Sequence, residues 1–253
     1  MNAKPNGSLP MTSPEPGAPG SAKWLIVNAD DFGASAGINR GIVDCHTRGV
    51  VTSTSLMVTG RAARDAAVLS RDHPALAVGL HWDVWGEDER EFDTTDLPLV
   101  RDEFRRQLDR FHQLMHRLPT HIDSHRHAHR AEHLMPLFRE LVGTLGVPLR
   151  DDGRVKFVGG FYAQWEWRVT NLEYVSAPFL QEMLRTEVAE GWTEFSCHPG
   201  YLSPDFDSVY LAEREAEVVT LTDPRIRQTI AELGIELRSY AQVPLQDAVS
   251  TPS

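Results

Sequence analysis

Residues 23–33, KWLIVNADDFG, are an apolar run of strand length that ends in two acidic residues and a glycine. Directly after them, Ile38, Ile42 and Cys45 recur at the spacing of one helix face, and Gly49 ends that helix. A buried strand followed by an amphipathic helix is the beginning of a βαβ unit. The segment therefore predicts an α/β protein built on a parallel sheet.

The same alternation of strand and helix continues along the chain. Further strand-like runs occupy residues 50–58, 76–80, 121–124, 147–150, 193–197 and 235–240. Helical periodicity occupies residues 61–70, 104–118, 134–145 and a segment that opens at Asp223-Pro224 and closes at Gly234. This pattern predicts a parallel sheet, either open or closed into a (β/α) barrel, with ligands at the carboxyl ends of the strands.

The composition excludes several classes of protein. The chain has 253 residues and a formal net charge of −11, so it lacks the basic footprint of a general nucleic-acid binder. No apolar run approaches the length of about 20 residues that a membrane span needs. Cys45 and Cys197 are the only cysteines, which excludes a disulfide scaffold and makes a reduced, cytoplasmic protein the default expectation.

One domain is expected between two tails. Residues 1–22 are rich in proline and glycine and poor in bulky apolar side chains, which predicts a disordered tail. They also lack the apolar core of a secretory signal. Residues 242–253 are interpreted as a second, shorter tail, so the domain spans residues 23–241.

Two adjacent carboxylates, Asp30 and Asp31, follow the first strand, and the turn at Phe32-Gly33 is expected to bring both into one pocket. Such a pair suits a division of labour in which one acid holds a metal and the other moves protons. The alternative interpretation is an ordinary Asx-turn or helix cap, where aspartate is also favoured.

The strongest local signal is residues 120–130, THIDSHRHAHR. A carboxylate and four imidazoles alternate there with period two, namely Asp123, His121, His125, His127 and His129. In an extended segment they would share one face, and burying that face against an apolar core would be costly, so it is expected to meet a cavity, a metal or water. Asp123 could orient a neighbouring imidazole. The alternative is a solvated histidine-rich loop.

Together with His81, which ends the third strand, these clusters supply the Asp-His-His set of many catalytic metal sites. His198 follows a late strand and is interpreted as an acid in the pocket. A thiol mechanism is rejected, because adjacent strand residues such as Cys197 and His198 point to opposite faces. Arg150 could pair with the catalytic carboxylate, or it could be an ordinary surface arginine.

The order of these motifs resembles one known family. The motifs are NADDFG (28–33), GINRGIVDCHTRGVVTSTSLMV (37–58), VGLH (78–81), THIDSHRHAH (120–129) and CHPG (197–200). In this order the chain resembles the YdjC-like carbohydrate deacetylases, which include bacterial chitooligosaccharide deacetylases and relatives associated with hopanoid biosynthesis. The resemblance covers residues 25–240. It implies a barrel-like fold related to polysaccharide deacetylases.

The resemblance also implies roles for individual residues. Asp31, His81 and His125 correspond to the ligands of one divalent ion, Mg²⁺ or Zn²⁺, while Asp30 corresponds to the base and His198 to the acid. Relatives also suggest a homodimer. The family usually has a histidine where this chain has Arg126. Relatives also often carry a longer loop where this chain has the short, acidic stretch from Asp83 to Leu118.

We therefore expect a metal-dependent amide hydrolase that removes acetyl from an N-acetylated amino sugar. His121, His127 and His129 are expected to line or support the pocket together with Asp123 and Arg150. Two alternatives belong to other classes. One is a phosphoesterase on a similar barrel with two or three ions, and the other is a non-catalytic sugar- or metal-binding protein.

Overall fold

Seven strands form one curled parallel sheet in the computed structural model, which describes residues 22–86, 91–204, 206 and 208–245. The strands are β1 (Lys23–Phe32), β2 (Ser53–Leu56), β3 (Ala77–Trp82), β4 (Ile122–Ser124), β5 (Lys156–Val158), β6 (Gly191–Cys197) and β7 (Ile235–Leu237). Their order is β4-β3-β2-β1-β6-β5, with β7 paired to the beginning of β1. Within the described ranges β4 and β5 end this path, so the barrel is incompletely closed.

Helices follow most of the strands. They are α1 (Ala36–Thr47), α2 (Ala63–Asp72), α3 (Leu97–Met115), α4 (Met135–Gly143), α5 (Ala177–Glu187), α6 (Ala212–Leu221) and α7 (Pro224–Glu232). Short 3₁₀ turns occupy His125–Arg130, Leu172–Val175 and Tyr240–Gln242. Among the helices that the structure describes, none combines the length and the hydropathy that crossing a membrane requires.

The first strand and helix form as the sequence predicts. β1 is central in the sheet, because it pairs with β2 along one edge and with β6 along the other. Its residues from Leu25 onward are buried, as expected for a strand of a parallel sheet that is covered on both faces. The Ser35 hydroxyl caps α1 by accepting the Ile38 N–H at 3.1 Å, and the predicted apolar face of that helix is fully buried. The predicted cap of α7 by Asp223, with Pro224 in its first turn, is also confirmed.

Two predicted strands differ from the observed structure. Residues 147–150 make only an isolated bridge, from Leu149 to Ile122, and continue as a turn. The last strand ends at Leu237, because the chain turns into a 3₁₀ segment that starts at Tyr240. The strand predicted at residues 121–124 forms as β4, but the extended conformation does not continue to His129. The elements β5, α5 and α6 were not predicted.

The predicted tails fall mostly outside the described residues. This holds for residues 1–21 of the N-terminal tail and for residues 246–253 of the C-terminal one. Of the C-terminal tail, residues 242–245 are described. Val243 there packs against a small cluster that contains Ile26 and Tyr240.

Candidate active site

The carboxyl ends of the central strands surround a cavity of about 640 Å³. Six of the predicted site residues line it, namely Asp30, Asp31, His81, His125, His127 and His198. Three other predicted residues, Asp123, His129 and Arg150, are fully buried and contact lining residues or one another. The expectation that separate strand ends deliver these side chains to one place is therefore met by the geometry.

A bulge in β1 brings two consecutive carboxylates into the same cavity. The register of β1 on β2 shifts between Ala29 and Phe32, and Asp31 adopts a left-handed backbone with φ of 68°. A bulge places an extra residue in one strand and redirects its side chain, so Asp31 does not point away from Asp30. From the sequence we expected the turn at Phe32-Gly33 to bring the two carboxylates together, but the bulge in β1 does so instead.

Asp31, His81 and His125 form a compact set of donor atoms. Asp31 Oδ1 lies 3.3 Å from His81 Nε2 and 3.3 Å from His125 Nδ1, and all three residues are buried. One potential ligand atom from each lies within 4.8 Å of the others. A carboxylate and two imidazoles are ligands that zinc and other divalent ions accept.

The environment of His81 supports a metal-binding role for this set. Its Nδ1 is hydrogen-bonded to Asp123 Oδ1 at 2.7 Å, the arrangement that orients metal-ligating histidines. Its Nε2 is buried and makes no hydrogen bond to any residue that the structure describes. Although burial opposes its protonation, the Asp123 carboxylate raises the pKa of His81 well above its usual value, so a cation that binds at Nε2 must displace a proton. The three residues therefore fit a divalent cation.

Asp30, Asp123 and His81 are a second possible donor group of the same compactness. Both of its carboxylates already receive hydrogen bonds or ion pairs from the guanidinium of Arg150. Arg150 occupies both oxygens of Asp30, whereas Arg214 occupies only Oδ2 of Asp31 and leaves Oδ1 facing the two imidazoles. The Asp31 set is therefore the better metal site.

Arg150 lies at the centre of a buried charge network, as its predicted pairing requires. Its guanidinium donates to both oxygens of Asp30 at 2.7 and 2.8 Å, and it also contacts Glu194 at 2.7 Å and Asp123 at 2.8 Å. Burial opposes ionisation of Asp30, but Arg150 outweighs it and lowers the pKa of that carboxyl. Asp30 is thus an ionised acceptor at neutral pH.

His198 comes directly after β6, with its Nε2 3.8 Å from Asp30 Oδ2. Its backbone N–H donates to the carboxyl group of Glu217, and its ring lies edge-on to Tyr162 with 5.5 Å between centroids. Burial lowers the pKa of His198 to about 4, so the imidazole is neutral in the resting protein.

The remaining histidines do not share one face, and the predicted period-two alternation beyond Ser124 is wrong. The backbone turns there, with φ of 53° at Arg126 and at His127. His127 lines the cavity against Phe157, and His129 Nε2 lies 3.1 Å from the Arg150 carbonyl oxygen. Burial lowers the pKa of His127 to about 3 and that of His129 to about 4.

His121 lies deeper in the barrel and does not reach the cavity. Its ring stacks on Tyr240 with 3.9 Å between centroids, and a Cβ at Gly79 would come within 2.4 Å of it. Gly79 is therefore required for this close approach. The hydroxyl of Tyr240 donates to Glu194, which links His121 indirectly to the Arg150 network.

Sequence reasoning missed an arginine and a buried polar cluster behind the site. Arg214, on α6, donates to Asp31 Oδ2 at 2.7 Å and to the His198 carbonyl oxygen at 3.2 Å. Glu217, one turn further along, accepts the Tyr210 hydroxyl at 2.6 Å. Nothing in the local sequence of α6 distinguishes these side chains from those of a surface helix.

Glu217 gives the protein a pH-dependent stability. Burial raises its pKa from 4.5 to about 8, so the folded state keeps a proton that the unfolded chain releases. This contribution is complete below about pH 4.5 and is lost as the pH rises through 8. We expect Glu217→Gln, which is uncharged and of the same shape, to flatten the decline of Tm between pH 5 and 8.

The control for this prediction is Glu132→Gln, a change at an exposed glutamate that should leave the Tm profile as in the wild type. Calorimetry across the pH range measures all three proteins. A Glu217→Gln profile as steep as that of the wild type would show that Glu217 is ionised in the folded protein.

The fold and the site together define a class. The curled parallel sheet resembles that of a polysaccharide deacetylase from Bacillus cereus, with a TM-score of 0.54 at 13% identity over 87% of this chain and 93% of that one. A crystal structure from Enterococcus faecalis, of a protein named for cellobiose-phosphate cleavage, is more similar. Its TM-score is 0.76 at 26% identity, covering 89% of this chain and 100% of that one. This is an α/β protein of the polysaccharide deacetylase fold.

The chain belongs to the YdjC-like protein family, whose profile matches residues 24–232. It is 35% identical to a chitooligosaccharide deacetylase from Serratia marcescens over 86% of this chain and 98% of that protein. The predicted family and the predicted barrel-like α/β fold are both confirmed.

Proposed function

We propose that this protein is a metal-dependent carbohydrate N-deacetylase that acts on an N-acetylated amino sugar. The convergence of His81 and His125 on one carboxylate oxygen of Asp31, at 3.3 Å each, is the observation that carries the metal dependence. The enzyme class, a hydrolase of amide bonds, is confirmed by the family and by its deacetylase relatives. The predicted sugar class rests on the same relatives.

Asp31, His81 and His125 would hold the ion, for which Zn²⁺ and Mg²⁺ are the candidates. Bound there, a divalent cation supplies Lewis acidity at the acetyl carbonyl oxygen and lowers the pKa of a water molecule. Asp123 fixes the His81 ring by its hydrogen bond to Nδ1, and Arg214 holds the second oxygen of Asp31. These contacts fix the orientation of the donor atoms before any ion arrives.

Asp30 and His198 would move the protons. Asp30 is kept ionised by Arg150, and it takes a proton from the water that attacks the acetyl carbon. The C–N bond then breaks, acetate leaves, and the amine nitrogen takes a proton through His198. Because His198 is neutral at rest and lies 3.8 Å from Asp30, the proton taken by Asp30 can supply it.

Removal of the base gives a direct test of this function. We expect Asp30→Asn to lower the rate of acetate release by roughly 10²–10⁴-fold, the usual contribution of a general base. It should still bind the metal, because Asp30 is outside the ligand set. Acetate release would be measured on a panel of N-acetylated mono- and oligosaccharides.

The matched control is Asp109→Asn, an exposed aspartate on α3 that should have no effect. If Asp30→Asn retained full activity, the assigned base would be wrong. If the wild type released acetate from no sugar but hydrolysed phosphate esters with two or three ions bound, the phosphoesterase alternative would replace this proposal.

A further inference from the structure

Exposed apolar side chains are concentrated beside the proposed active site. Between residues 165 and 174 they are Trp165, Trp167, Val169, Leu172 and Tyr174. The two tryptophans are the most exposed of these five, at 62% and 66%. Large aromatic surfaces that remain exposed on a folded domain commonly mark a binding site. The proposed mechanism uses none of these side chains.

The two tryptophans line the same cavity as the catalytic carboxylates. A series of rings leads outward from the reaction centre, with 5.5 Å between the centroids of His198 and Tyr162 and 6.5 Å between those of Tyr162 and Trp165. Two ring contacts therefore connect Trp165 to His198, the proposed acid. The cavity is larger than the reacting acetamide requires, so this part of it is available for the rest of a substrate.

The segment that carries the tryptophans is held in place at its base. The Asn171 N–H donates to the Ala163 carbonyl at 2.8 Å, and Gln164 Nε2 donates to the Val209 carbonyl at 2.7 Å. The Ala163 N–H also donates to the Tyr210 hydroxyl at 3.1 Å. A binding surface on a fixed support loses little entropy when a ligand arrives.

We propose that Trp165 and Trp167 form a stacking subsite for a sugar ring next to the ring that carries the reacting acetamide. This inference rests on the proposed deacetylase function. A pyranose whose substituents are equatorial presents a flat face of C–H bonds, and the negative π-face of an indole attracts such a face. Hydroxyl groups remain at the ring edge, where water or polar side chains can solvate them.

The occupant of this surface is therefore an oligosaccharide of equatorially substituted pyranose units. The surface is continuous with the catalytic cavity, which favours an oligosaccharide over a second copy of the chain. A second copy bound to Trp165 and Trp167 would cover the mouth of the cavity. The guanidinium of Arg168 lies over the Trp167 ring, 5.7 Å from its centroid, and adds a polar group to this aromatic surface.

The test compares N-acetylglucosamine with its β-1,4-linked trimer. Isothermal titration of chelated protein measures binding without hydrolysis, and acetate release from the metal-loaded protein is measured in parallel. We expect the wild type to bind the trimer more tightly than the monosaccharide. Trp165→Ala or Trp167→Ala should each weaken trimer binding by about tenfold, and the double variant should remove most of the preference for the trimer.

Two further variants separate stacking from a general loss of structure. Trp165→Phe keeps an aromatic face and should retain most of the trimer affinity. Leu118→Ala removes a half-exposed apolar side chain that precedes β4, at the opposite edge of the sheet, and should leave both affinities as in the wild type.

The proposal is overturned if the double variant binds the trimer as tightly as the wild type does. It is equally overturned if the double variant differs from the wild type only in its oligomeric mass, because the surface would then be an interface between copies of the chain. Absence of acetate release from every sugar, with trimer binding that still depends on Trp165 and Trp167, would refute the deacetylase function and support the subsite.

Discussion

Replacement of His125 by alanine is expected to abolish tight metal binding and to lower acetate release by about 10³-fold or more. His125 Nδ1 lies 3.3 Å from Asp31 Oδ1 and supplies one of the three ligands. Lewis-acid stabilisation of developing charge is worth several kcal/mol, and each 1.4 kcal/mol is tenfold in rate. A site with two ligands left cannot keep the ion at assay concentrations, so both quantities should fall together.

The matched control is His133→Ala, which removes an exposed imidazole from the same region of the chain. Metal content after dialysis and the rate of acetate release would be measured for both variants. His133→Ala should behave as the wild type does. Full metal binding and full activity in His125→Ala would contradict the assigned ligand set.

The second large effect concerns stability. We expect Arg150→Met to lower the free energy of unfolding by roughly 3–5 kcal/mol, because it leaves buried carboxylates without their cation. Asp30, Asp123 and Glu194 all contact this one fully buried guanidinium. For a domain of this size the loss corresponds to a fall in Tm of roughly 10 °C.

The loss of stability in Arg150→Met should grow as the pH rises. In the wild type, Arg150 holds the pKa values of Asp30 and Asp123 below their usual range. Without Arg150, burial and mutual repulsion would raise those pKa values, so the variant should lose more stability as the pH rises. Thermal unfolding between pH 5 and 8 measures this.

Arg101→Met is the matched control, because Arg101 makes a bidentate pair with Glu140 at 2.8 and 2.9 Å on the surface. Exposed pairs contribute about 0–1 kcal/mol, so its Tm should change little. Equal shifts in Arg101→Met and Arg150→Met would show that the buried network is not a major determinant of stability.

Local patterns were sufficient to predict the framework of the site. The apolar run of β1 and the helical spacing of Ile38, Ile42 and Cys45 predicted a strand and a helix, and both form. The rule that parallel strands present their carboxyl ends at one edge then placed Asp30, His81 and His198 in one pocket. No knowledge of the loops was needed for that step.

Long-range contacts could not be predicted in the same way. The alternation from His121 to His129 suggested one extended segment, but left-handed backbone at Arg126 and His127 ends it, and no glycine marks that turn. Arg214 reaches Asp31 from a helix 183 residues away in the chain, which periodicity cannot reveal.

Glu194 is the missed residue that the sequence did signal. It is a carboxylate inside an otherwise largely apolar strand, β6, and a buried charge requires a partner. That requirement implies an internal cation, and the structure shows that the partner is Arg150. The two tryptophans of WEW, residues 165–167, are a comparable signal, because large apolar side chains exposed together can mark a binding surface.

The most direct test of the account is a metal titration of chelated protein, with bound ion and acetate release from an N-acetylated sugar measured in the same samples. The proposed site predicts that activity rises in proportion to bound ion and saturates at one divalent ion per chain. It also predicts that His125→Ala shows neither binding nor activity. Full acetate release by protein that contains no ion, or saturation only at two or three ions per chain, would contradict the account.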